Sequence, residues 1–299
     1  MSLCDYLAQI KAVIEQLEQA YGCGSNSSVP NQQRFRPKIP AGASMIALGS
    51  TACTFSAWAI KKSTGKKVMV VANHCGMAGS QCETVPPGTV WVQPSPMDGG
   101  TEADHVAVRS STPADLRDPT IDALELDPDS QDSFTNEIVG QGTIDGKAYS
   151  VNSSEAIFKS GRTTGPGQGT VSYPSSDVNI NYGPCGTLTK RDTIIASMNL
   201  QGGDSGDPAT VVRNGKRLIV GEWVAGGSGL GVAMKIKPIE DKYGLDFDIS
   251  QAPPPPPSTS LIQYSVDGGP YQDAKTISVQ GKPSTSSATV SARPRRPSQ

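Results

Sequence analysis

Residues 201–208 read Gln201-Gly202-Gly203-Asp204-Ser205-Gly206-Asp207-Pro208 and place a serine between an aspartate and a glycine. Glycine adopts positive φ angles easily and lets backbone N–H groups approach a ligand closely. A serine hydroxyl is a weak nucleophile, so it needs a general base to accept its proton and hydrogen-bond donors to hold the oxyanion that forms. The stretch by itself also fits a glycine-rich turn. It therefore indicates catalysis only if a histidine and a carboxylate precede it in a suitable setting.

The composition of the chain favours an all-β protein. Its 299 residues include 32 glycines and 24 prolines, and 36% of the residues are hydrophobic. Short apolar runs between frequent chain breakers are typical of strands and turns rather than of helical bundles. The net charge is −2 with both signs mixed, so no nucleic-acid partner is expected. No apolar run reaches the length of a membrane span, so no membrane partner is expected either.

One of the two histidines of the chain follows a predicted strand. The β-branched run 68–71 (VMVV) predicts a buried strand, and it leads into 72–76 (ANHCG), which contains His74. A histidine at a strand end is usually only a polar terminus. The pattern alone leaves two interpretations open, a polar strand end and a general base.

Two aspartates compete for the role of the carboxylate. Asp104 and Asp122 are each followed by small and apolar residues typical of a strand. Asp122 lies farther along the chain from His74, and nearer to Ser205, than Asp104 does. We favour Asp122 on this spacing. The other aspartate is then a surface acid at a strand end.

Three motifs occur in order: 72–76 (ANHCG), 160–165 (SGRTTG) and 202–207 (GGDSGD). Together they resemble the chymotrypsin-like serine proteases, closest to the bacterial streptogrisin and α-lytic protease branch. The resemblance covers about residues 43–248. It implies an all-β, two-barrel chymotrypsin-like fold, with the site in the cleft between the barrels.

The resemblance also assigns roles to individual residues. It implies that His74 is the general base, Asp122 the triad aspartate in preference to Asp104, and Ser205 the nucleophile, with the backbone N–H groups of Gly203 and Ser205 as the oxyanion hole. Two further pairs follow from it. Arg162 would pair with Asp204 as structural support, and Cys53 and Cys75 would form a disulfide beside the histidine.

Two positions depart from the pattern of that family. The usual GDSGG reads GDSGD here, so Asp207 follows two residues after the nucleophile, where its carboxylate would either act on His74 by charge or point to solvent. Asn199 stands six residues before Ser205, where trypsin-like members carry an acid. With Gly226 it is assigned to the substrate pocket, which Gly226 and Gly231 would leave open, and no strong preference for Arg or Lys is expected.

The predicted domain organisation has four parts: an N-terminal helix and linker (1–41), a first barrel (42–135), a second barrel (136–250) and a Pro-rich stalk with a largely disordered tail (251–299). Apolar residues spaced by four and three predict a helix over 1–21. That helix either docks on its own domain or offers a surface for self-association. In the tail, 261–266 and 274–279 are predicted to pair as a small hairpin.

The preferred function is a serine endopeptidase that acts on a peptide or protein through an acyl-enzyme. The alternative is a catalytically inactive trypsin-like domain that binds peptides or acts as a scaffold, and an esterase is the weakest hypothesis because the sequence has no GxSxG motif. No cofactor is expected, and two histidines with scattered cysteines predict no metal site. Charged residues interrupt the segment 1–21, so no signal peptide is predicted and the cytoplasm is favoured.

Overall fold

The computed structural model describes residues 29–50, 52–78 and 82–248, together with short strands at 262–266, 272–273 and 290–294. The chain divides into two compact units, Met1–Gln251 and Ala252–Gln299. The predicted helix over 1–21 and the stalk lie outside the described residues. Within the described part, no helix is both long enough and apolar enough to cross a membrane.

The strands and the one α-helix of the described residues are numbered in chain order. They are β1 (Ser44–Ala47), β2 (Cys53–Lys61), β3 (Lys67–Ala72), β4 (Met77–Ala78), β5 (Glu83–Thr84), β6 (Val90–Val92), β7 (His105–Arg109), β8 (Ala123–Pro128), β9 (Glu137–Ile138), β10 (Gly142–Thr143), β11 (Gly146–Lys147), β12 (Ala156–Gly161), β13 (Gly165–Asn181), β14 (Thr187–Ser197), β15 (Pro208–Arg213), β16 (Lys216–Gly227), β17 (Leu230–Lys235), α1 (Ile236–Tyr243), β18 (Leu245–Asp246), β19 (Ile262–Val266), β20 (Gln272–Asp273) and β21 (Val290–Pro294). Short 3-10 turns lie at Pro30–Gln32, Asn73–Gly76, Pro96–Asp98, Glu102–Asp104, Gln131–Ser133 and Gly183–Cys185.

The first sheet closes into a barrel. Its strands follow the order β1-β6-β7-β8-β3-β2, and the ring closes because β1 pairs with β2 as well as with β6. The predicted buried strand 68–71 lies within β3, where Met69 and Val71 pack into one core with Trp58 and Trp91. Full burial of a valine or methionine side chain stabilises the fold by roughly 1.5–3 kcal/mol. The run is apolar on both faces of β3, and both faces are buried, since Val68 and Val70 pack into a second core cluster.

The second sheet closes in the same way. Its ring is β16-β15-β12-β13-β14-β17, since β16 pairs with β17 as well as with β15. Ile157, Val211 and Trp223 are buried in its core. Asn214 and Gly215 connect β15 to β16 with φ angles of 51° and 73°, the positive values that a tight hairpin turn of this kind requires. The all-β, two-barrel architecture is thus confirmed.

The two barrels share an apolar contact. Ile180 and Val224 of the second sheet, with Tyr182 just beyond β13, belong to the same buried cluster as the core of the first barrel. Helix α1 ends at Gly244, whose left-handed φ of 63° terminates it. The chain then returns to the first sheet, because β18 pairs with β2. The last strand within the predicted segment 136–250 therefore belongs to the first sheet.

The C-terminal unit contains a three-stranded antiparallel sheet. Strand β19 pairs with β20 on one side and with β21 on the other. The partner predicted for 261–266, the segment 274–279, lies outside the described residues.

Candidate active site

His74 and Asp122 face each other where two neighbouring strands of the first barrel end. Ala72 in β3 pairs with Ala123 in β8, so the residues just beyond them are brought side by side. His74 Nδ1 lies 2.8 Å from Asp122 Oδ2, and the backbone N–H of His74 donates to Asp122 Oδ1 at 3.0 Å. A carboxylate can only accept, so Nδ1 carries the proton and Nε2 is free to act as a base.

The Asp122 carboxylate is fully buried among donors and cations. Burial by itself would raise its pKa, but the His74 ring and the Lys190 ammonium favour the ionised form, and the net shift of the pKa is downward. The Tyr182 hydroxyl also donates to Asp122 Oδ2, at 2.9 Å. Lys190 is held in place because its Nζ donates to three backbone carbonyls, those of Leu116, Asp118 and Ile121.

Asp104, the competing aspartate, has other partners. Arg34 Nη2 donates to its Oδ2 at 2.8 Å, and the backbone N–H of Thr101 donates to the same oxygen at 2.9 Å. Burial raises the pKa of Asp104, while the hydrogen bonds from Thr101 and Arg34 lower it by more. The geometry therefore places Asp122, and not Asp104, against His74.

Ser205 lies on a turn that only glycines allow. Gly203 and Gly206 have φ angles of 96° and 90°, in the left-handed region that favours glycine. A Cβ at Gly206 would collide with the Thr54 carbonyl oxygen. Ser205 is anchored there because its carbonyl accepts from the Thr54 N–H at 2.8 Å, and the Gly206 N–H donates to Trp223 O at 2.8 Å.

The backbone N–H groups of Gly203 and Ser205 have no acceptor within the described part of the chain. Gly203 also has no room for a side chain, since a Cβ there would lie 2.5 Å from Thr163 Oγ1. Two unpaired N–H groups on a turn that carries a serine are the arrangement that binds an oxyanion. The two N–H groups are thus available as donors, and their role as an oxyanion hole stays a prediction.

The expected pair between Arg162 and Asp204 is wrong. Asp204 is buried and accepts from the backbone N–H groups of Thr163 and Thr164 at 2.8 and 3.1 Å, and from the Thr164 hydroxyl at 2.6 Å. These donors satisfy the carboxylate without an arginine. Arg162 turns instead to Asp98, with Nη2–Oδ1 at 2.5 Å and Nε–Oδ2 at 2.8 Å.

Asp98 is a site-supporting residue that sequence reasoning missed. Besides Arg162, the hydroxyls of Ser44 and Ser95 donate to its Oδ2 at 2.5 and 2.9 Å. It lies in the 3-10 turn Pro96–Asp98 of the first barrel, whereas Arg162 follows β12 of the second. The sequence places Asp98 in the loop segment 93–100 (QPSPMDGG), and nothing in that segment indicates which residue the aspartate binds.

Asp207 neither points to solvent nor faces the histidine. It is fully buried, its Oδ1 accepts from the Ser160 N–H at 2.5 Å, and its Oδ2 has no partner among the described residues. Burial raises its pKa well above the ordinary value; Lys159 opposes the rise and Asp204 adds to it. Both expectations for Asp207 are therefore replaced by a buried position in which its carboxyl group accepts a hydrogen bond from the Ser160 N–H.

Two cavities meet at Ser205. The larger has a volume of about 360 Å³ and is lined by His74, Met77, Ile180, Asn181, Tyr182, Gln201, Gly202, Ser205, Val224, Ala225 and Gly226. The smaller, of about 20 Å³, is lined by Leu200, Gln201, Asp204, Ser205, Trp223, Ala225 and Gly226. The serine and the histidine thus line one cleft. Within the described part, the Ser205 hydroxyl makes no hydrogen bond to His74.

The floor of the small cavity differs from the expectation. Asn199 is exposed and lines neither cavity, and Leu200 takes its place, only 8% exposed. A Cβ on Gly226 would lie 2.5 Å from Leu200 Cβ, and one on Gly231 would lie 2.8 Å from both Leu200 Cδ1 and Trp223 Cζ3. The space that the two glycines leave is therefore filled by leucine and tryptophan, and the pocket is shallow rather than open.

Two disulfides flank the site. Cys53 is bonded to Cys75, as the family resemblance implied, and Cys82 is bonded to Cys185, which the sequence did not suggest. Cys53, His74 and Cys75 also form the one cluster of potential metal ligands in the described residues. Because both sulfurs are bonded to each other, they are not available as the thiolates that bind a metal.

Comparison with solved structures finds serine proteases that share this fold. The crystal structure of Nocardiopsis protease matches with 21% identity and a TM-score of 0.50, over 70% of this chain and 98% of that one. Thermobifida fusca protease A matches with 20% identity and a TM-score of 0.51, over 70% and 97%. A glutamic acid specific serine protease that uses a histidine triad in substrate binding matches with 22% identity and a TM-score of 0.50, over 70% and 100%.

No protein-family model and no curated protein matches the chain. At identities near 20%, the structural likeness concerns the fold. The resemblance to bacterial chymotrypsin-like serine proteases that the three motifs carry is confirmed at this level.

Proposed function

We propose that this protein is a serine endopeptidase that uses Ser205, His74 and Asp122. The observation that carries the proposal is the buried hydrogen bond between His74 Nδ1 and Asp122 Oδ2, which leaves Nε2 as a base in the cleft that Ser205 also lines. The serine protease fold supports the same reaction class.

In the proposed reaction, Ser205 Oγ attacks the carbonyl carbon of the scissile peptide bond, and His74 Nε2 accepts the hydroxyl proton. The electron pair of the carbonyl moves onto its oxygen, which the N–H groups of Gly203 and Ser205 stabilise. The intermediate collapses, the C–N bond breaks, and His74 donates its proton to the leaving amine. Water then repeats these steps on the acyl-enzyme and releases the carboxylic acid. In this reaction, the hydrogen bond between the Ser205 hydroxyl and His74 Nε2 forms when substrate is bound.

The shallow pocket beside Ser205 favours small, uncharged residues on the acyl side of the scissile bond. A space of about 20 Å³ holds about one water or methyl group. Leu200 and Trp223 fill the remaining depth, and Leu200 offers no charge to a basic side chain. We infer that alanine and similarly small side chains are accepted, while aromatic and basic ones are excluded.

The test is labelling with a fluorophosphonate probe and cleavage of an alanine-containing peptide. We expect the wild type to be labelled and to cleave, and Ser205→Ala to do neither. Ser153→Ala, which changes an exposed serine, is the matched control and retains both activities. A folded wild type that is neither labelled nor active would contradict the proposal and favour a peptide-binding domain without catalysis.

A further inference from the structure

Tyr182 connects the second barrel to the carboxylate of the first. It follows β13 directly and begins the short tip, residues 182–186, that joins β13 to β14. The side chain is largely buried, and its hydroxyl donates to Asp122 Oδ2 at 2.9 Å. One carboxylate oxygen thus accepts from two side chains, His74 and Tyr182.

The same tyrosine also packs against the histidine. The ring centroids of His74 and Tyr182 are 5.5 Å apart, with 56° between the ring planes. Its hydroxyl and ring therefore contact both members of the acid–base pair. With Oδ1 of Asp122 bound to the His74 N–H, donors on both oxygens fix the rotation of the carboxylate.

The charge distribution around Tyr182 keeps its hydroxyl a donor. Burial raises the pKa of Tyr182, and the charge of Asp122 raises it further, with Glu222 adding to the effect. Lys190 Nζ lies 5.6 Å from the ring centroid and favours the ionised Asp122. The tyrosine therefore stays protonated at pH values where the aspartate is ionised.

A covalent bond holds the tip that carries Tyr182. The backbone N–H of Cys185 donates to Tyr182 O at 3.3 Å, and the N–H of Tyr182 donates to Gly186 O at 3.0 Å. Cys185 is bonded to Cys82, in the first-barrel segment that follows the turn of His74. The tip and the histidine segment are thus tied together across the cleft.

We propose that Tyr182 is a positioning residue that holds the His74–Asp122 pair, and that the Cys82–Cys185 bridge holds Tyr182. The proposal rests on the proposed protease function. Its consequence is that the tyrosine hydroxyl supports the chemical step rather than substrate binding, since its hydrogen bond within the described part of the chain goes to the aspartate.

The first test is Tyr182→Phe, which removes the hydroxyl and keeps the ring. We expect kcat to fall about tenfold, the loss typical of one hydrogen bond to a charged group, with KM changed less than about threefold. The low-field proton resonance of the His74–Asp122 hydrogen bond should shift in the variant. Tyr173→Phe, which changes an exposed tyrosine on β13, the strand that precedes Tyr182, is the control and leaves both readouts unchanged.

The second test removes the bridge with Cys82→Ala and Cys185→Ala together, with and without Tyr182→Phe. We expect bridge removal to lower kcat in the wild-type background and to have little further effect in the Tyr182→Phe background. Fluorophosphonate titration counts the folded, reactive sites in every variant. If the wild type is active but Tyr182→Phe leaves kcat and the resonance unchanged, the positioning role is overturned. Fully additive effects of bridge removal and Tyr182→Phe on kcat would overturn it as well. An inactive wild type would instead overturn the proposed function.

Discussion

Arg162 binds Asp98 through two nitrogen–oxygen contacts of 2.5 and 2.8 Å, and this buried pair joins the second barrel to the first. The arginine follows β12, and the aspartate sits in the turn after β6. Because the backbone N–H of Arg162 also donates to Thr54 Oγ1 at 2.9 Å, the strand end beside the Ser205 turn is fixed from two sides.

Removal of one partner of this pair is expected to destabilise the protein. Asp98→Asn leaves the Arg162 guanidinium buried without a counter-charge, and the free energy of unfolding should fall by about 3–5 kcal/mol. Urea unfolding followed by tryptophan fluorescence measures the change. Asp241→Asn, which removes an exposed partner of Lys237, is the control and should cost less than about 1 kcal/mol. Equal effects of the two substitutions would contradict the structural role of the pair.

Replacement of the buried aspartate is expected to damage catalysis rather than folding. In Asp122→Asn the carboxamide no longer fixes the proton on His74 Nδ1, so kcat should fall by roughly ten-thousandfold. Asp104→Asn is the matched control, and its kcat should match that of the wild type. The kcat of both variants is measured on the same peptide substrate. A large loss of kcat in Asp104→Asn alone would mean that Asp104, and not Asp122, is the triad aspartate.

The pocket beside Ser205 is expected to deepen when Leu200 is truncated. Leu200→Ala removes the side chain that fills the space beside Gly226 and Gly231. We expect the ratio of kcat/KM for leucine over alanine at the residue before the scissile bond to rise by about tenfold or more. Asn199→Ala changes the exposed neighbour and should leave the ratio unaltered. An unchanged ratio in Leu200→Ala would mean that this leucine does not limit the pocket.

Glu222 is expected to make stability depend on pH. It is 1% exposed, and its carboxyl oxygens have no hydrogen-bond partner among the described residues. Burial raises its pKa well above the ordinary value; Asp122 adds to the rise, and the nearby Ser56 offsets it only in part. As the pH rises, the unfolded chain therefore releases the Glu222 proton at a lower pH than the folded chain does. Stability is lost as the pH rises from about 4.3, the ordinary value for glutamate, through the folded-state pKa.

Glutamine cannot ionise, so the stability of Glu222→Gln does not carry this loss. The difference in stability between the variant and the wild type should therefore shift in favour of the variant from pH 4 to pH 8. Thermal unfolding at both pH values measures the difference. Glu155→Gln provides a control of opposite sign: a hydrogen bond from Arg213 lowers the pKa of Glu155, so this variant should lose relative stability at the higher pH. A difference between Glu222→Gln and wild type that does not vary with pH would refute the prediction.

The two barrels and the contact between His74 and Asp122 could be predicted because local patterns and motif order specify them. The run 68–71 is buried as expected, the Asn214-Gly215 turn forms a hairpin, and the choice between Asp104 and Asp122 followed from spacing and resemblance. Each of these features depends on residues close in sequence or on motifs in a fixed order.

The partners that the sequence did not reveal depend on distant residues and on side-chain direction. Arg162 binds Asp98, which lies 64 positions earlier in the chain, and motif spacing does not indicate that contact. The Tyr182–Asp122 bond joins residues 60 positions apart, and the Cys82–Cys185 bridge joins residues 103 apart. Leu200 lines the small cavity and its neighbour Asn199 is exposed. Motif spacing does not specify which of two adjacent residues faces the cavity.

The two bridges also limit the freedom of the unfolded chain to different extents. Cys53–Cys75 spans 22 residues and Cys82–Cys185 spans 103. In the loop-entropy treatment, loops of about 15 and about 100 residues contribute roughly 3 and 4.7 kcal/mol. A contribution of this size exists only where thiols are oxidised, and secreted and periplasmic proteins meet that condition whereas cytosolic ones rarely do. Reducing agents should therefore destabilise the fold.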